Sequence, residues 1–273
     1  MYGVVTRNER ELVWPEFDLG FYEVKDVTGR QTEPVDTGIN MLSCFGDNAA
    51  VDADPSLVAV SESGEPATRE RPYFDWSYVC PTRETYQEGL LTLIEQCTAV
   101  NADLRLDDIG YPRNEYCYCN ECQSRFEASE FQNREAWRAS VITEFVDEAT
   151  DRIPGRTYFT LYPDPYPGHL FRRAGLNLPA LEPFVDEFVV PLYDLGYHTT
   201  YWLEVIASGF ADQLDRPFSV ELYAVDLDID RLIHATEVVE TYGKDVFFGY
   251  DAATARATIR RKQADENAGD THP

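Results

Sequence analysis

Three cysteines stand within a single short run, Cys117-Tyr118-Cys119-Asn120-Glu121-Cys122. A C-x-C-x-x-C spacing lets three thiolates converge on one cation, and zinc then requires a fourth ligand to complete its tetrahedron. Cys80 is the expected fourth. It opens Cys80-Pro81-Thr82, just ahead of a segment with helical spacing, and helix N-termini favour thiolates. Cys97 falls on the apolar face of that helix and Cys44 lies in Ser43-Cys44-Phe45; both read as buried and inert. A redox or reduced-thiol role for the cluster is the alternative. Catalytic zinc is not expected, because four thiolates leave no open position and the four histidines are scattered.

The other residues able to do chemistry are carboxylates and tyrosines that close apolar runs. Asp107 and Asp108 end Leu104-Arg105-Leu106 and lead into Tyr111 and Arg113. Later runs end in Tyr162-Pro163-Asp164, Tyr193-Asp194, Glu221-Leu222-Tyr223 and Tyr250-Asp251. Carboxylates accept hydrogen bonds from hydroxyls and aromatic faces stack on sugar rings, so this set suits a carbohydrate. The candidate substrate contacts are Tyr111, Arg113, Asp164, Tyr193, Asp194, Tyr223 and Asp251. In so acidic a chain any one loop Asp can arise by chance. Glu221 differs, because it sits between Val220 and Leu222, where solvated acids are uncommon. A partly buried carboxyl needs a reason, and a raised pKa or a nucleophilic role is one.

These residues must be positioned by regular elements. Short β-rich runs are expected at Tyr2–Thr6, Phe21–Val27, Ile39–Phe45, Asp103–Asp107, Thr157–Tyr162, Glu187–Tyr193, Phe218–Tyr223 and Asp245–Tyr250. Helical spacing is expected at Thr85–Val100, Arg134–Arg152, Tyr201–Leu214 and Ile229–Tyr242. Strand and helix alternate in the second half, which argues for parallel strands with crossover helices. Eight strands is the count of a (β/α)8 TIM-type barrel. Its N-terminal half is abbreviated, since the early helices look short or absent. The carboxylates then ring the C-terminal mouth, and the cysteine loop is the βα-loop after strand four. A doubly wound open sheet is the alternative, weakened by the lack of a Gly-rich phosphate loop after the first strand. Residues 1–262 read as one domain, and the polar stretch 263–273 reads as a disordered tail.

Charge narrows the partners. Acids outnumber bases 49 to 23 and the net charge is −26. Such a surface repels phosphate backbones and anionic membranes, so neither nucleic acid nor membrane is expected as a partner. Lysine occurs only at 25, 244 and 262. Abundant carboxylate with scarce lysine is the composition of a halophilic proteome, where salt screens the self-repulsion. The plainer reading is an acidic mesophile protein. No basic start precedes an apolar run at the N-terminus, and no stretch nears the ~20 apolar residues of a membrane span. A soluble cytoplasmic protein is the expectation, and disulfides are not expected there.

Two segments resemble the β-galactosidases of glycoside hydrolase family 42. The residues that carry the resemblance are Cys80-Pro81-Thr82-Arg83-Glu84-Thr85-Tyr86, then Asp107-Asp108, then Cys117, Cys119, Cys122 and Phe126. They span roughly 78 to 126, and the four cysteines match that family's zinc ligands in type, order and local spacing. The resemblance implies a (β/α)8 barrel, structural zinc on Cys80, Cys117, Cys119 and Cys122, and a two-carboxylate glycosidase. It also implies assembly into homo-oligomers. Glu221 falls on the family's nucleophile position at the end of strand seven. At the acid/base position the family has Asn-Glu, whereas this chain has Asp107-Asp108. The Asn114-Glu115 pair stands one residue short of Cys117 and away from the strand end. Leu106-Asp107-Asp108-Ile109-Gly110-Tyr111-Pro112 also resembles the fourth strand of other glycosyl-hydrolase-like barrels. The expected reaction has Asp108, or Asp107, protonating the leaving oxygen while Glu221 attacks. A carbohydrate-binding barrel without turnover and a zinc-stabilised interaction module are the alternatives.

Overall fold

A computed structural model describes residues 1–193 and 201–269. The eight strands are β1 (Tyr2–Thr6), β2 (Leu19–Lys25), β3 (Ile39–Ser43), β4 (Leu104–Asp107), β5 (Thr157–Thr160), β6 (Glu187–Leu192), β7 (Phe218–Tyr223) and β8 (Val246–Gly249). Each pairs in parallel with the next, and β8 returns to β1, so the sheet closes into a barrel in sequence order. The expected (β/α)8 architecture is therefore present. A parallel strand is buried on both faces and reads as nearly continuous apolar sequence. The barrel is filled by Val5, Phe21, Ile39, Met41, Tyr158, Val189 and Phe247. The opposite face of the strands packs under the helices as one large cluster.

The helices are α1 (Asn48–Ala53), α2 (Glu84–Thr98), α3 (Asn120–Ala128), α4 (Arg134–Thr150), α5 (His169–Ala174), α6 (Leu178–Leu181), α7 (Tyr201–Gln213), α8 (Ile229–Val239) and α9 (Ala252–Gly269). Local chemistry sets their starts. The Asn133 side chain accepts from the backbone N–H of Glu135 and Ala136 and begins α4, while Asp228 does the same for α8. Such caps satisfy donors that have no intrahelical partner. The face of α4 bearing Trp137, Val141, Phe145 and Ala149 is buried, as its spacing requires.

The N-terminal half is abbreviated as expected. Only a 3-10 turn at Glu9–Glu11 lies between β1 and β2, and no helix lies between β2 and β3. Leu12 covers the sheet there instead. A Cβ at Gly20 would come within 2.5 Å of Leu12 Cδ2, so Leu12 in this position packs directly against the glycine. At the other end α9 runs past Gln263 to Gly269. Pairs four apart, Arg261–Asp265 and Lys262–Glu266, support this extension. No helix among the described residues is long and apolar enough to cross a membrane.

Candidate active site and metal centre

Alternation along the strands decides which side chains enter the mouth. On β4, Arg105 and Asp107 share the inward face; on β7, Glu221 and Tyr223 do so. Together with β2, β5, β6 and the following loops they enclose a cavity of about 500 Å3 at the C-terminal end of the strands. Its charged lining is Arg7, Glu23, Asp107 and Asp108. Its aromatic lining is Trp76, Tyr162, Tyr193, Tyr223 and Tyr250. The buried Nε1–H of Trp76 has no hydrogen-bond partner among the described residues, and so offers an unanswered donor on the wall.

One layer below lies a buried ion pair. Arg105 and Glu221 are both wholly inaccessible, and Arg105 Nη2 stands 2.5 Å from Glu221 Oε2. That nitrogen is also 3.8 Å from Asp107 Oδ2, so one guanidinium links the deep carboxylate to the one at the surface. Arg105 Nε donates to Thr160 Oγ1 at 3.0 Å, and its plane lies over the Phe21 ring. Tyr193 Oη donates to Glu221 Oε1 at 2.5 Å. A Cβ at Gly249 would sit 2.7 Å from the same oxygen, so a glycine there makes room for the carboxylate. Burial by itself would lower the Arg105 pKa, but the charges of Glu221 and then Asp107 outweigh it and the pKa rises. Arg105 is a fixed cation.

The acids facing the cavity behave differently. Asp108 is pushed up to about 8, first by burial and then by the neighbouring charge of Asp107. A hydrogen bond from Ser43 Oγ at 2.6 Å and the charge of Lys25 oppose this without cancelling it. Lys25 is itself buried, 3.1 Å from Asp47 Oδ2, and donates to the carbonyls of Ser43 and Gly46. Asp108 has φ 51, an uncommon conformation for a residue with a side chain. Glu23 is also raised by burial, against a hydrogen bond and ion pair from Arg7. Tyr250 Oη donates to it at 3.3 Å. Burial lifts the Tyr193 and Tyr250 hydroxyls well above their ordinary value, which keeps both as donors.

The residues named from sequence thus separate. Asp107, Asp108, Tyr193 and Tyr223 meet in the mouth. Glu221 joins them at the same end of the barrel but does not line the cavity, since Tyr193 and Arg105 cover it. Arg113 and Asp164 line a neighbouring cavity. Tyr111 is fully buried beneath Arg138, whose guanidinium lies 4.5 Å from its ring centre. Asp251 caps α9 through the N–H groups of Ala253 and Thr254. Asp194 lies outside the described residues. Sequence reasoning passed over Glu23 and Arg105. Each carries the signal that marked Glu221, a charge inside an apolar strand: Phe21-Tyr22-Glu23-Val24 and Leu104-Arg105-Leu106.

The cysteine loop lies after β4, as its sequence position requires. Cys80, Cys117, Cys119 and Cys122 are buried, and their sulfurs all lie within 4.8 Å of one another. Cys80 Sγ is 3.7 Å from Cys119 Sγ and 3.3 Å from Cys122 Sγ. Four thiolates ~2.3 Å from one ion sit ~3.8 Å apart in a tetrahedron, so this set can hold a metal ion. The backbone N–H of Val60 donates to Cys117 Sγ, and the N–H of Cys119 points to the same sulfur. Cys44 and Cys97 lie elsewhere and are buried; burial pushes Cys97 up to about 12, so it stays a thiol.

No protein-family model and no curated protein matches the sequence. Solved structures with the same fold do exist. The chain resembles the glycoside hydrolase domain of PgaB (BpsB) from Bordetella bronchiseptica with a TM-score of 0.71 at 13% identity, over 94% of this chain and 89% of that one. It resembles α-L-fucosidase isoenzyme 2 from Paenibacillus thiaminolyticus with a TM-score of 0.67 at 12% identity, over 98% of this chain and 49% of that one. At such identities the likeness establishes a shared barrel.

Proposed function

We propose that the protein is a glycoside hydrolase that works with carboxyl groups at the barrel mouth. The observation that carries this reading is the cavity itself: tyrosines and Trp76 wall a pocket whose floor holds Asp107 and Asp108. Aromatic faces with interspersed acids are what a sugar ring with its hydroxyls requires. In this reading Asp108 is the proton donor, because a carboxyl pushed up to about 8 is still protonated at neutral pH. The negative charge of Asp107 stabilises the positive charge that builds on the anomeric carbon as the bond to the leaving oxygen breaks, and water then bonds to that carbon and gives up a proton to complete the hydrolysis. Glu221, the nucleophile implied by the family resemblance, acts from beneath as a positioning residue, fixing Arg105 and the Tyr193 hydroxyl. The PgaB domain and the fucosidase are named for glycoside chemistry on the same fold, which is consistent with this assignment.

The metal assigned to the four cysteines is zinc. A closed set of soft thiolates suits zinc and leaves no coordination position for substrate. Its role is structural: it ties Cys80, at the entry to α2, to the loop that follows Asp108. Kinship with family 42 is supported by these cysteines and by the place of Glu221 on β7.

A panel of aryl glycosides, assayed in high salt, tests the reaction. Asp108→Asn should lower turnover by about 100-fold or more. Glycosides whose leaving group needs no proton should be spared part of that loss. Equal rates in wild type and Asp108→Asn on every active substrate would remove Asp108 as the donor.

A further inference from the structure

Beside the mouth opens a second cavity of about 400 Å3, walled by Arg113, Arg172, Arg173 and His169 with the acids Glu135 and Asp164. The two adjoin along one loop: Tyr162 and Pro163 face the mouth, and Asp164 faces the second cavity. Three arginines here are unexpected in a chain with 49 acids and 23 bases. Several arginines elsewhere on the surface pair with carboxylates, as Arg152, Arg156, Arg260 and Arg261 do, and exposed ones that do not among the described residues, such as Arg10, Arg216 and Arg231, stand singly and not around a shared cavity. Arg113, Arg172 and Arg173 have no ion-pair partner among the described residues. Asp164 is engaged by His169, with Oδ2 3.3 Å from Nδ1, which leaves Glu135 as the one uncommitted acid.

The cluster is also held in place. Arg113 lies over the Tyr73 ring at 4.5 Å and Arg173 over the Tyr162 ring at 5.1 Å. Stacking fixes a guanidinium plane while leaving its N–H edge free. Beneath them Arg138, 1% exposed, donates to four backbone carbonyls. Its Nη1 reaches those of Asn114 (3.3 Å) and Arg172 (2.9 Å), and its Nη2 those of Arg113 and Arg173 (both 2.8 Å). One buried arginine thus pins the loop that carries Arg113 to the helix α5 that carries Arg172 and Arg173.

We infer that this cavity receives an anionic group of the saccharide, the carboxylate of a uronic acid unit or a sulfate ester, while the adjoining sugar lies in the mouth. The inference rests on the carbohydrate reading and narrows its substrate class to acidic glycans. Guanidinium edges match both anions in bidentate contact. Contact pairs survive added salt, whereas at about 1 M the long-range field of −26 charges is screened within a few ångströms. A nucleic-acid backbone is disfavoured because the three arginines gather at one cavity, which suits a single anionic group, and form no basic track along a phosphate chain.

Isothermal titration at fixed ionic strength decides it, with tetragalacturonate, a sulfated carrageenan tetrasaccharide, neutral galactotetraose and inorganic sulfate as probes. The wild type should bind one or both acidic tetrasaccharides about tenfold or more tightly than galactotetraose. The preferred one identifies the anion. Arg172→Gln/Arg173→Gln, with its fold checked by circular dichroism, should cut the acidic-to-neutral affinity ratio about tenfold and abolish sulfate binding. Equal affinity for acidic and neutral sugars, or a ratio unchanged in the variant, would overturn the inference. If neutral glycosides were hydrolysed but no acidic preference appeared, the subsite would fall and the glycosidase reading would stand. Sulfate bound by wild type and lost in the variant, with no saccharide bound at all, would remove the glycosidase reading and this inference together.

Discussion

Asp108 owes its character to where the chain puts it. Burial and the charge of Asp107 raise it to about 8, and Ser43 and Lys25 only moderate the shift. Two consequences follow, one for turnover and one for stability. As a proton donor it must be protonated, so kcat/KM should fall as pH rises through about 8. For stability, the native state binds this proton more tightly than the unfolded chain does. The contribution is therefore greatest at low pH and is lost as pH rises from the ordinary Asp value toward the raised one. Asp108→Asn mimics the neutral acid. It should lower turnover as above yet match or exceed the wild type in stability at pH 9, by on the order of a few kcal/mol. Urea denaturation at pH 5 and pH 9 reads this directly, and a variant less stable than wild type at pH 9 would refute the assignment. Glu221 predicts the reverse. Glu221→Gln strands the inaccessible Arg105 without its counter-charge, which should cost about 3–5 kcal/mol. Adding Arg105→Met should restore part of that loss; a purely additive double variant would mean that the pair is not coupled.

The strands and helices carry these residues, and most of them were legible from the sequence. β1 and β7 begin and end where apolar patterning placed them, and α4 begins at Arg134, after its Asn cap. Parallel strands and amphipathic helices announce themselves because their periods differ. What patterning could not read is where a loop side chain goes once its strand has ended. Tyr111 stands four residues after Asp107 but turns inward under Arg138, and Asp251 turns back to cap α9. Both outcomes depend on loop geometry, for which sequence spacing has no period. The charged residues in mid-strand show the converse. Glu23, Arg105 and Glu221 could all be found by one rule, because an inward position on a barrel strand leaves a charge nowhere to go but the mouth or a partner. The cysteine loop belongs to the same level. Metal binding and local folding are linked, so Cys119→Ser should lose the zinc proposed for this site and lower the Tm together. Because Val60 donates to Cys117 Sγ, the loosening should reach the segment before α2 as well as the loop after β4. Elemental analysis and hydrogen exchange would check both halves, and full zinc retention by the variant would contradict the ligand set.

Taken whole, the molecule combines a well-filled barrel with a surface that repels itself. Salt does nothing for the packing of the core, but it screens the repulsion within a net charge of −26. Ion pairs such as Arg69–Asp52 and Arg71–Glu65 are exposed and contribute little individually. They also consume bases of which the chain has only 23 against 49 acids, so many carboxylates have no base to pair with. The screening length shortens from about 10 Å at 0.1 M salt to about 3 Å at 1 M. Repulsion between neighbouring carboxylates should then fade while buried pairs such as Arg105–Glu221 are untouched. The Tm should accordingly rise steeply between 0.1 and 1 M KCl and flatten beyond, since once the screening length is shorter than the spacing between charges little repulsion remains to remove. Replacing KCl by an isosmotic concentration of sorbitol separates screening from simple exclusion of cosolute: sorbitol should reproduce only a small part of the rise. Equal stabilisation by sorbitol and KCl would mean that self-repulsion is not what limits this fold. The acidic composition would then have to be explained by solubility alone.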